Sequence, residues 1–91
     1  MRVRKIHLGE RNIVGSFVSR RRREIGLKQK DLLTQLQIMG IDLNASGLSK
    51  IEGQIRFVTD FELKAISEAL GCSILDMFEE EEVLEQEPEE E

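Results

Sequence analysis

The feature that most constrains this sequence is a series of short apolar segments with helical spacing, separated by glycines. Gly26, Gly40 and Gly71 each end one such segment. A glycine just beyond a helix readily takes the left-handed conformation that stops it. No segment alternates apolar and polar residues with the period of a β-strand over more than a few positions. We therefore predict an all-α fold of five short helices.

Caps and apolar stripes give approximate bounds for the helices. We predict helix 1 from about Asn12 to Ile25, helix 2 from about Gln29 to Met39, helix 3 from its N-cap Asn44 to about Glu52, helix 4 from the capping box at Thr59 to Gly71, and a last short helix capped by Ser73. The residues expected to face the core in the first four are Val14, Phe17, Val18, Ile25, Leu32, Leu33, Leu36, Leu48, Ile51, Leu63, Ile66 and Leu70.

The charge of the chain is divided unevenly along its length. The net charge is −5, yet residues 1–56 carry twelve Lys or Arg against five Asp or Glu, and residues 57–91 carry one Lys against thirteen acids. A basic half of this kind is typical of a phosphate-binding surface, and its alternative is an ordinary solvated face. We divide the chain into a basic arm (1–11), one helical domain (12–78) and an acidic tail (79–91) that we predict to be disordered.

Several classes of protein are disfavoured by composition. No run of eighteen apolar residues is present, so we expect no membrane span and no secretion. We expect a cytoplasmic location. His7 is the only histidine and Cys72 the only cysteine, which predicts no metal site, no disulfide and no cofactor; we expect Cys72 to be a small buried apolar residue. The carboxylates cluster in the tail and no glycine-rich phosphate loop exists, so we predict that the chain is not an enzyme.

A set of short motifs follows in a fixed order along residues 12–78. They are Val14-Gly15, Arg22, Gly26-Leu27-Lys28-Gln29, Gly47-Leu48-Ser49-Lys50-Ile51-Glu52, Val58-Thr59-Asp60, Glu62-Leu63 and Ala69-Leu70-Gly71. In this order they resemble the lambda-repressor-like helix-turn-helix regulators of the Cro/C1 type, the XRE family. The resemblance implies a five-helix DNA-binding domain in which helix 3 reads the major groove.

Helix 3 is the candidate for base recognition. With Leu48 and Ile51 pointing inward, the outer side carries small or polar residues: Ala45, Ser46, Ser49 and Lys50. By resemblance, Ala45, Ser46 and Lys50 match base-contacting positions. A lysine can donate to guanine, a serine to either kind of base edge, and an alanine can contact a thymine methyl group. The alternative for each is an ordinary surface residue.

Other residues match phosphate-contacting or structural positions. By resemblance, Gln29 at the start of helix 2 contacts a phosphate, with Lys28 and Lys30 beside it. Arg56 is the one further cation expected to reach a phosphate. Arg22 and Glu52 match a buried ion pair between helix 1 and helix 3. The run of four arginines at residues 20–23 surrounds most of a helix, so only part of it can face DNA, and at least two are expected simply to be solvated.

The chain departs from the commonest family pattern in two places. The connection between Leu36 and Asn44 is longer by about one helical turn and a short loop. We expect the extra turn at residues 37–39, with Ile41 and Leu43 tucked against the core; the rival account is a loop that displaces helix 3. The glycine that usually follows helix 3 stands one position early, at Gly53, so we expect the stop to shift with it.

The function predicted from these observations is a sequence-specific regulator, a repressor that binds double-stranded DNA as a homodimer. The last helix has more apolar residues than its length needs, which makes Ile74, Met77 and Phe78 candidates for the pairing surface. The nine glutamates of residues 79–91 are expected to compete with DNA for the basic half, and the alternative is a tail that serves only solubility. For residues 1–11 a disordered arm is favoured over a minor-groove contact by Arg2, Arg4 or Lys5. The alternative is a protein-interaction module, such as an antitoxin or anti-repressor, that binds a basic partner through its helices or acidic tail.

Overall fold

The computed structural model describes residues 11–78, and the regular structure in that range is entirely α-helical. The helices are α1 (Gly15–Glu24), α2 (Gln29–Ile38), α3 (Ala45–Glu52), α4 (Asp60–Leu70) and α5 (Ile74–Phe78). The predicted all-α class and the five predicted helices are thereby confirmed for this part of the chain. The acidic tail and the basic arm, except for Arg11, lie outside the described residues.

Side-chain caps start three of the helices, as the sequence predicts. Asn44 Oδ1 accepts a hydrogen bond from the amide three residues on at 2.8 Å, at the start of α3. At α4, Thr59 Oγ1 accepts from the Glu62 amide at 3.1 Å and Glu62 Oε1 accepts from the Thr59 amide at 2.9 Å, which is a complete capping box. Ser73 and Asp76 exchange the same pair of bonds at α5, both at 3.1 Å.

Left-handed residues end the first four helices. Gly26, Gly40 and Gly71 have φ angles of 74°, 92° and 68°. After α3, however, the left-handed residue is Gln54, with φ 64°, while Gly53 keeps a φ of −82°. The Gln54 amide donates to Ile51 O and the Ile55 amide to Lys50 O, both at 3.0 Å. The prediction that the stop moves to Gly53 is therefore wrong, because the end of α3 is set by this hydrogen-bond geometry rather than by where glycine stands.

The core is one cluster of side chains drawn from all five helices. Its buried members are Val14, Phe17, Val18, Leu32, Leu36, Leu43, Leu48, Ile51, Ala65, Ile66, Leu70 and Met77. Leu33 and Leu63 are only half-buried. Ile25, expected inside, is 43% exposed: it is the C-cap residue of α1, and Leu27 beyond the turn packs against the core instead. Cys72 is half-buried against the cluster, in line with its predicted apolar role, and burial raises the pKa of its thiol.

The longer connection between α2 and α3 is anchored in the core. After Gly40, Ile41 packs half-buried against the cluster and Leu43 is 6% exposed. Gln37 Nε2 donates to Leu43 O at 3.0 Å, so the added turn of α2 holds the loop that follows it. The predicted plugging of the core by Ile41 and Leu43 is confirmed. As a result, the beginning of α3 has a fixed place on the core.

The beginning of α1 is built against the end of α3. Asn12 Oδ1 accepts from the amides of Val14 and Gly15 at 3.0 and 2.8 Å, so α1 starts at Gly15 and not at Asn12 as predicted. Asn12 Nδ2 donates to Ile51 O at 3.1 Å and to Arg56 O at 2.8 Å. Gly15 allows this close approach, because a Cβ there would lie 2.1 Å from Ile51 O.

Candidate nucleic-acid interface

The outer face of α3 is formed by the four residues that the sequence predicts for it. Leu48 and Ile51 are 1% and 0% exposed and hold the inner face on the core. Small or polar residues occupy the outer face, and all of them are exposed: Ala45, Ser46, Ser49 and Lys50. Of these four side chains, only that of Lys50 is long. The contacts of these residues with bases remain predictions.

A hydrogen-bonded ion pair fixes the orientation of α3. Arg22 donates from Nε and from its second terminal nitrogen to the two oxygens of Glu52, at 2.8 and 3.0 Å, and its first terminal nitrogen donates to Leu27 O at 3.0 Å. The side chains of Arg22 and Glu52 are 12% and 7% exposed. Gln29 Nε2 donates to Glu52 Oε1 at 3.1 Å. The predicted ion pair is confirmed, and it joins the ends of α1 and α3 to the start of α2.

The start of α2 holds the residues predicted to contact phosphate. One N–H of the Gln29 amide is used by Glu52, which leaves a second donor on the same nitrogen, now in a fixed position. Lys28 and Lys30 are exposed and belong to none of the ion pairs formed within residues 11–78. Lys28 has no acceptor atom with which to cap the helix, and Asp31 supplies half a capping box by accepting from the Lys28 amide at 3.4 Å. A phosphate here would meet two cations and one carboxylate.

The run of four arginines is divided between structural and exposed positions. Arg22 belongs to the ion pair with Glu52, and Arg21 Nε donates to Leu70 O at 3.2 Å, which satisfies a carbonyl at the end of α4. Arg20 pairs with the glutamate four residues on at 3.4 Å, with both side chains about half exposed. Arg23 is exposed. Arg20 and Arg23 are exposed, whereas Arg21 and Arg22 are half-buried.

Arg56 has a structural role that the sequence did not reveal. It donates from both terminal nitrogens to the two oxygens of Glu62, each at 2.9 Å, and also to Phe57 O at 2.9 Å. Three of the five donors of its guanidinium are thus engaged. The pair ties the loop after α3 to the first turn of α4. Its predicted phosphate contact is untested and has only the remaining donors available.

The Arg56–Glu62 pair gives a testable pH dependence. Hydrogen bonds from Arg56 lower the pKa of Glu62 below its ordinary value of 4.5, and this effect together with the Thr59 amide outweighs burial, which raises the pKa. A carboxylate whose pKa is lowered by folding stabilises the fold fully at pH values above its ordinary pKa. This stabilisation is lost as the pH falls through the pKa of the group in the folded protein. We expect Glu62→Gln to lower the free energy of unfolding at pH 7 and to lose less stability than the parent on acidification.

Urea denaturation from pH 7 to pH 3 measures this difference. Glu68→Gln is the matched control, because Glu68 lies in the same helix in a half-exposed pair with Lys64. Parallel stability profiles for the parent and Glu62→Gln would contradict the assignment.

The candidate pairing residues of the last helix are placed differently from expectation. Met77 is 0% exposed and belongs to the core, and Ile74 is half-buried. The prediction that Met77 belongs to a pairing surface is therefore wrong. The helix α5 has little more than one turn, and Met77 is the side chain that attaches it to the core. The exposed apolar residues are instead Leu75 at 75% and Phe78 at 44%, with Phe61 on α4 at 79%.

Comparison with known proteins adds no assignment. No protein-family model, no curated protein and no solved structure matches the chain. Within residues 11–78, no helix has the length and apolar character needed to cross a membrane, and no three His, Cys, Asp or Glu side chains are grouped to hold a metal ion. The geometry of α2, α3 and the residues that join them is what bears on function.

Proposed function

We propose that this chain is a sequence-specific DNA-binding regulator of the lambda-repressor-like helix-turn-helix type. In this proposal α3 enters the major groove and the start of α2 contacts the phosphate backbone. The protein acts as a cytoplasmic repressor and binds as a homodimer. The observation that carries the proposal is the outer face of α3, which is exposed, small and polar, on a helix whose inner face and end are rigidly held.

The residues on that face suit the edges of base pairs. Lys50 can donate to O6 or N7 of guanine, while Ser46 and Ser49 can donate or accept. Ala45 offers a methyl group to thymine. An α-helix fits the width of the major groove of B-form DNA, and small outer side chains let its backbone approach the bases.

The surroundings of α3 support a phosphate contact on the α2 side. Gln29 shares the Glu52 carboxylate with Arg22, so a displacement of α3 moves Gln29 with it. Lys28 and Lys30 add positive charge on either side of Gln29. Contacts to phosphates fix the register of a protein on DNA, and contacts to base edges supply the sequence preference. The ion pair thus couples the two kinds of contact in one rigid unit.

A homodimer is part of the proposal because one domain offers few base contacts. Two copies of a helix-turn-helix domain read half-sites separated by about 34 Å, one turn of DNA. Leu75 and Phe61 are more suitable for pairing than Met77, since they are exposed. Selection of binding sites from random DNA, followed by footprinting of the selected sequence, tests the proposal. A motif with two-fold symmetry is the expected result.

Lys50→Ala separates base recognition from phosphate binding. We expect it to weaken binding to the preferred site by about 1–3 kcal/mol and to relax the preference at one base pair of each half-site. Gln29→Ala should instead weaken all sequences to a similar extent. The measurement is binding-site selection together with titration of specific and random duplexes at one fixed salt concentration, since affinity for DNA depends on salt.

Lys64→Ala is the control for the loss of one positive charge. Lys64 is 72% exposed on α4 and pairs only with Glu68 in the described part of the chain. It should leave both the selected motif and the specific affinity unchanged. If Lys50→Ala returns the same motif as the parent, α3 does not lie in the groove as proposed.

A protein-interaction module is the second candidate function. The exposed apolar side chains of Phe57, Phe61 and Leu75 favour it, because their burial against another protein would remove apolar area from water. An antitoxin or anti-repressor would use such a surface to bind another protein. Failure to bind any duplex at low salt, with the fold intact by circular dichroism, would favour this candidate over a DNA-binding regulator.

A further inference from the structure

An apolar groove lies on the described domain where the two ends of the described chain come together. It has a volume of about 320 Å³. Its apolar lining is Ile13, Val14, Phe57, Val58, Leu63 and Phe78. Ile13, Phe57 and Phe78 are 58%, 68% and 44% exposed, so a considerable apolar area faces solvent at this point. Burial of such area is favourable, in proportion to the area removed from water.

The groove has a cation at its rim. Arg11 lines it together with Asn12, and the Arg11 guanidinium lies 5.5 Å from the centre of the Phe57 ring. The backbone of Arg11 is held in place by a hydrogen bond from its amide to Gln54 O at 3.3 Å. Within residues 11–78, Arg11 belongs to none of the ion pairs. The site therefore suits a ligand with a small apolar centre and negative charge beside it.

One segment of this chain has that composition and begins at the groove. Residues 79–87 read EEEEVLEQE, with Val83 and Leu84 enclosed by glutamates on both sides. The preceding residue, Phe78, is part of the groove lining. Residues 1–10, which precede Arg11 in the sequence, carry Arg2, Arg4 and Lys5, whose charge has the same sign as that of Arg11. Charge complementarity therefore selects residues 79–87.

The length of the segment permits it to fold back on its own domain. Val83 lies five positions after Phe78, and five extended residues span at most about 17 Å. A reversal of direction needs only four residues. We propose that residues 79–87 dock in this groove within the same molecule, with Val83 and Leu84 against Phe57 and Leu63 and with glutamates beside Arg11. This inference is independent of DNA binding.

Methyl NMR spectroscopy of the full chain tests the proposal directly. In the parent protein we expect nuclear Overhauser effects between the Leu84 methyls and the Phe57 ring. The double variant Val83→Ser, Leu84→Ser should remove these effects and shift the methyl resonances of Val14, Val58 and Leu63. Neither Val83 nor Leu84 belongs to the core cluster formed within residues 11–78.

A matched pair of phenylalanine variants provides the control. Phe57→Ser removes a side chain that lines the groove and is 68% exposed, whereas Phe61→Ser removes one that is 79% exposed and does not line it. In the Phe57→Ser background, the double serine change should shift the groove methyl resonances much less than it does in the parent. In the Phe61→Ser background, the shift should be as large as in the parent. Arg11→Gln should reduce the methyl shift change that the double serine substitution causes. The shift change that remains should depend less on salt concentration.

Three results would overturn the inference. The first is an absence of any shift in the methyl resonances of Val14, Val58 and Leu63 between the parent and the double serine variant. The second is a Leu84 contact that appears only between molecules in a mixture of labelled and unlabelled protein, which would assign the groove to a second copy. The third is a set of tail contacts to the exposed basic residues of α1 and α2 instead of the groove, which would place the tail where it competes with phosphates.

Discussion

Replacement of Glu52 by alanine is expected to cost on the order of 3–5 kcal/mol in the free energy of unfolding. The substitution leaves the Arg22 guanidinium, only 12% exposed, without its carboxylate, and it also removes the acceptor of Gln29. A charge left buried without its partner has a cost in this range. Since small domains are stable by about 5–15 kcal/mol in total, this loss would remove a large part of the stability of the fold. Urea denaturation followed by circular dichroism measures the change.

Two further variants show whether burial causes this effect. Glu24→Ala breaks the pair with Arg20, whose side chains are about half exposed, and should cost less than about 1 kcal/mol. Replacing Arg22 and Glu52 together by Met and Leu should recover most of the stability lost in Glu52→Ala, because no unpaired charge then remains. An equal loss in Glu24→Ala and Glu52→Ala would mean that the link between α1 and α3 does not depend on this ion pair.

Gly15→Ala is expected to destabilise the domain by on the order of 3 kcal/mol, although alanine is the better helix former. A Cβ at this position would lie 2.1 Å from Ile51 O and 3.0 Å from Glu52 O, and backbone atoms cannot move aside as a side chain can. The helices α1 and α3 would have to separate, which disturbs the core packing between them. The higher helix propensity of alanine alone would stabilise the variant by about 1 kcal/mol. The sign of the change in the free energy of unfolding therefore shows whether helix propensity or the steric clash is the larger effect.

Gly53→Ala is the matched control, at a glycine directly after α3 that does not contact α1 in this way. Gly53 has an ordinary φ of −82°, and the nearest atom to its added Cβ would be Ser49 O at 3.4 Å. We expect it to be neutral or to stabilise the fold by up to about 1 kcal/mol. Thermal unfolding of both variants is sufficient, and a Gly15→Ala protein as stable as the parent would show that α1 and α3 are not in close contact.

The sequence predicts the helices and most of the core because these depend on local signals. The caps at Asn44, Thr59 and Ser73 and the helix stops at Gly26, Gly40 and Gly71 act within a few residues of their own positions. The outer face of α3 and the ion pair that holds its end were predicted as well. The first follows from helical periodicity, and the second came from the resemblance to a known family.

The errors and omissions concern contacts made across a loop or between distant parts of the chain. Gln54 takes the left-handed conformation although Gly53 stands beside it, and its side chain donates to Asn12 O at 3.3 Å, across 42 residues of sequence. Arg56 was expected to reach phosphate because it is a cation in a loop, but the loop returns it to Glu62. No local pattern distinguishes these outcomes, because each depends on where a separate segment packs.

The attachment of Asn12 to the end of α3 makes that helix part of a cooperative unit. A helix of eight residues would be almost unpopulated as an isolated peptide. In the folded chain, its Ile51 carbonyl and the Arg56 carbonyl beyond it both accept from Asn12, which is separated from them by 39 and 44 residues. The end of α3 therefore cannot fray without release of the segment that begins α1, so hydrogen exchange there should report global opening. A ligand that binds the outer face of α3 meets a helix that is already ordered. The affinity of this ligand is therefore not reduced by the entropic cost of ordering the helix.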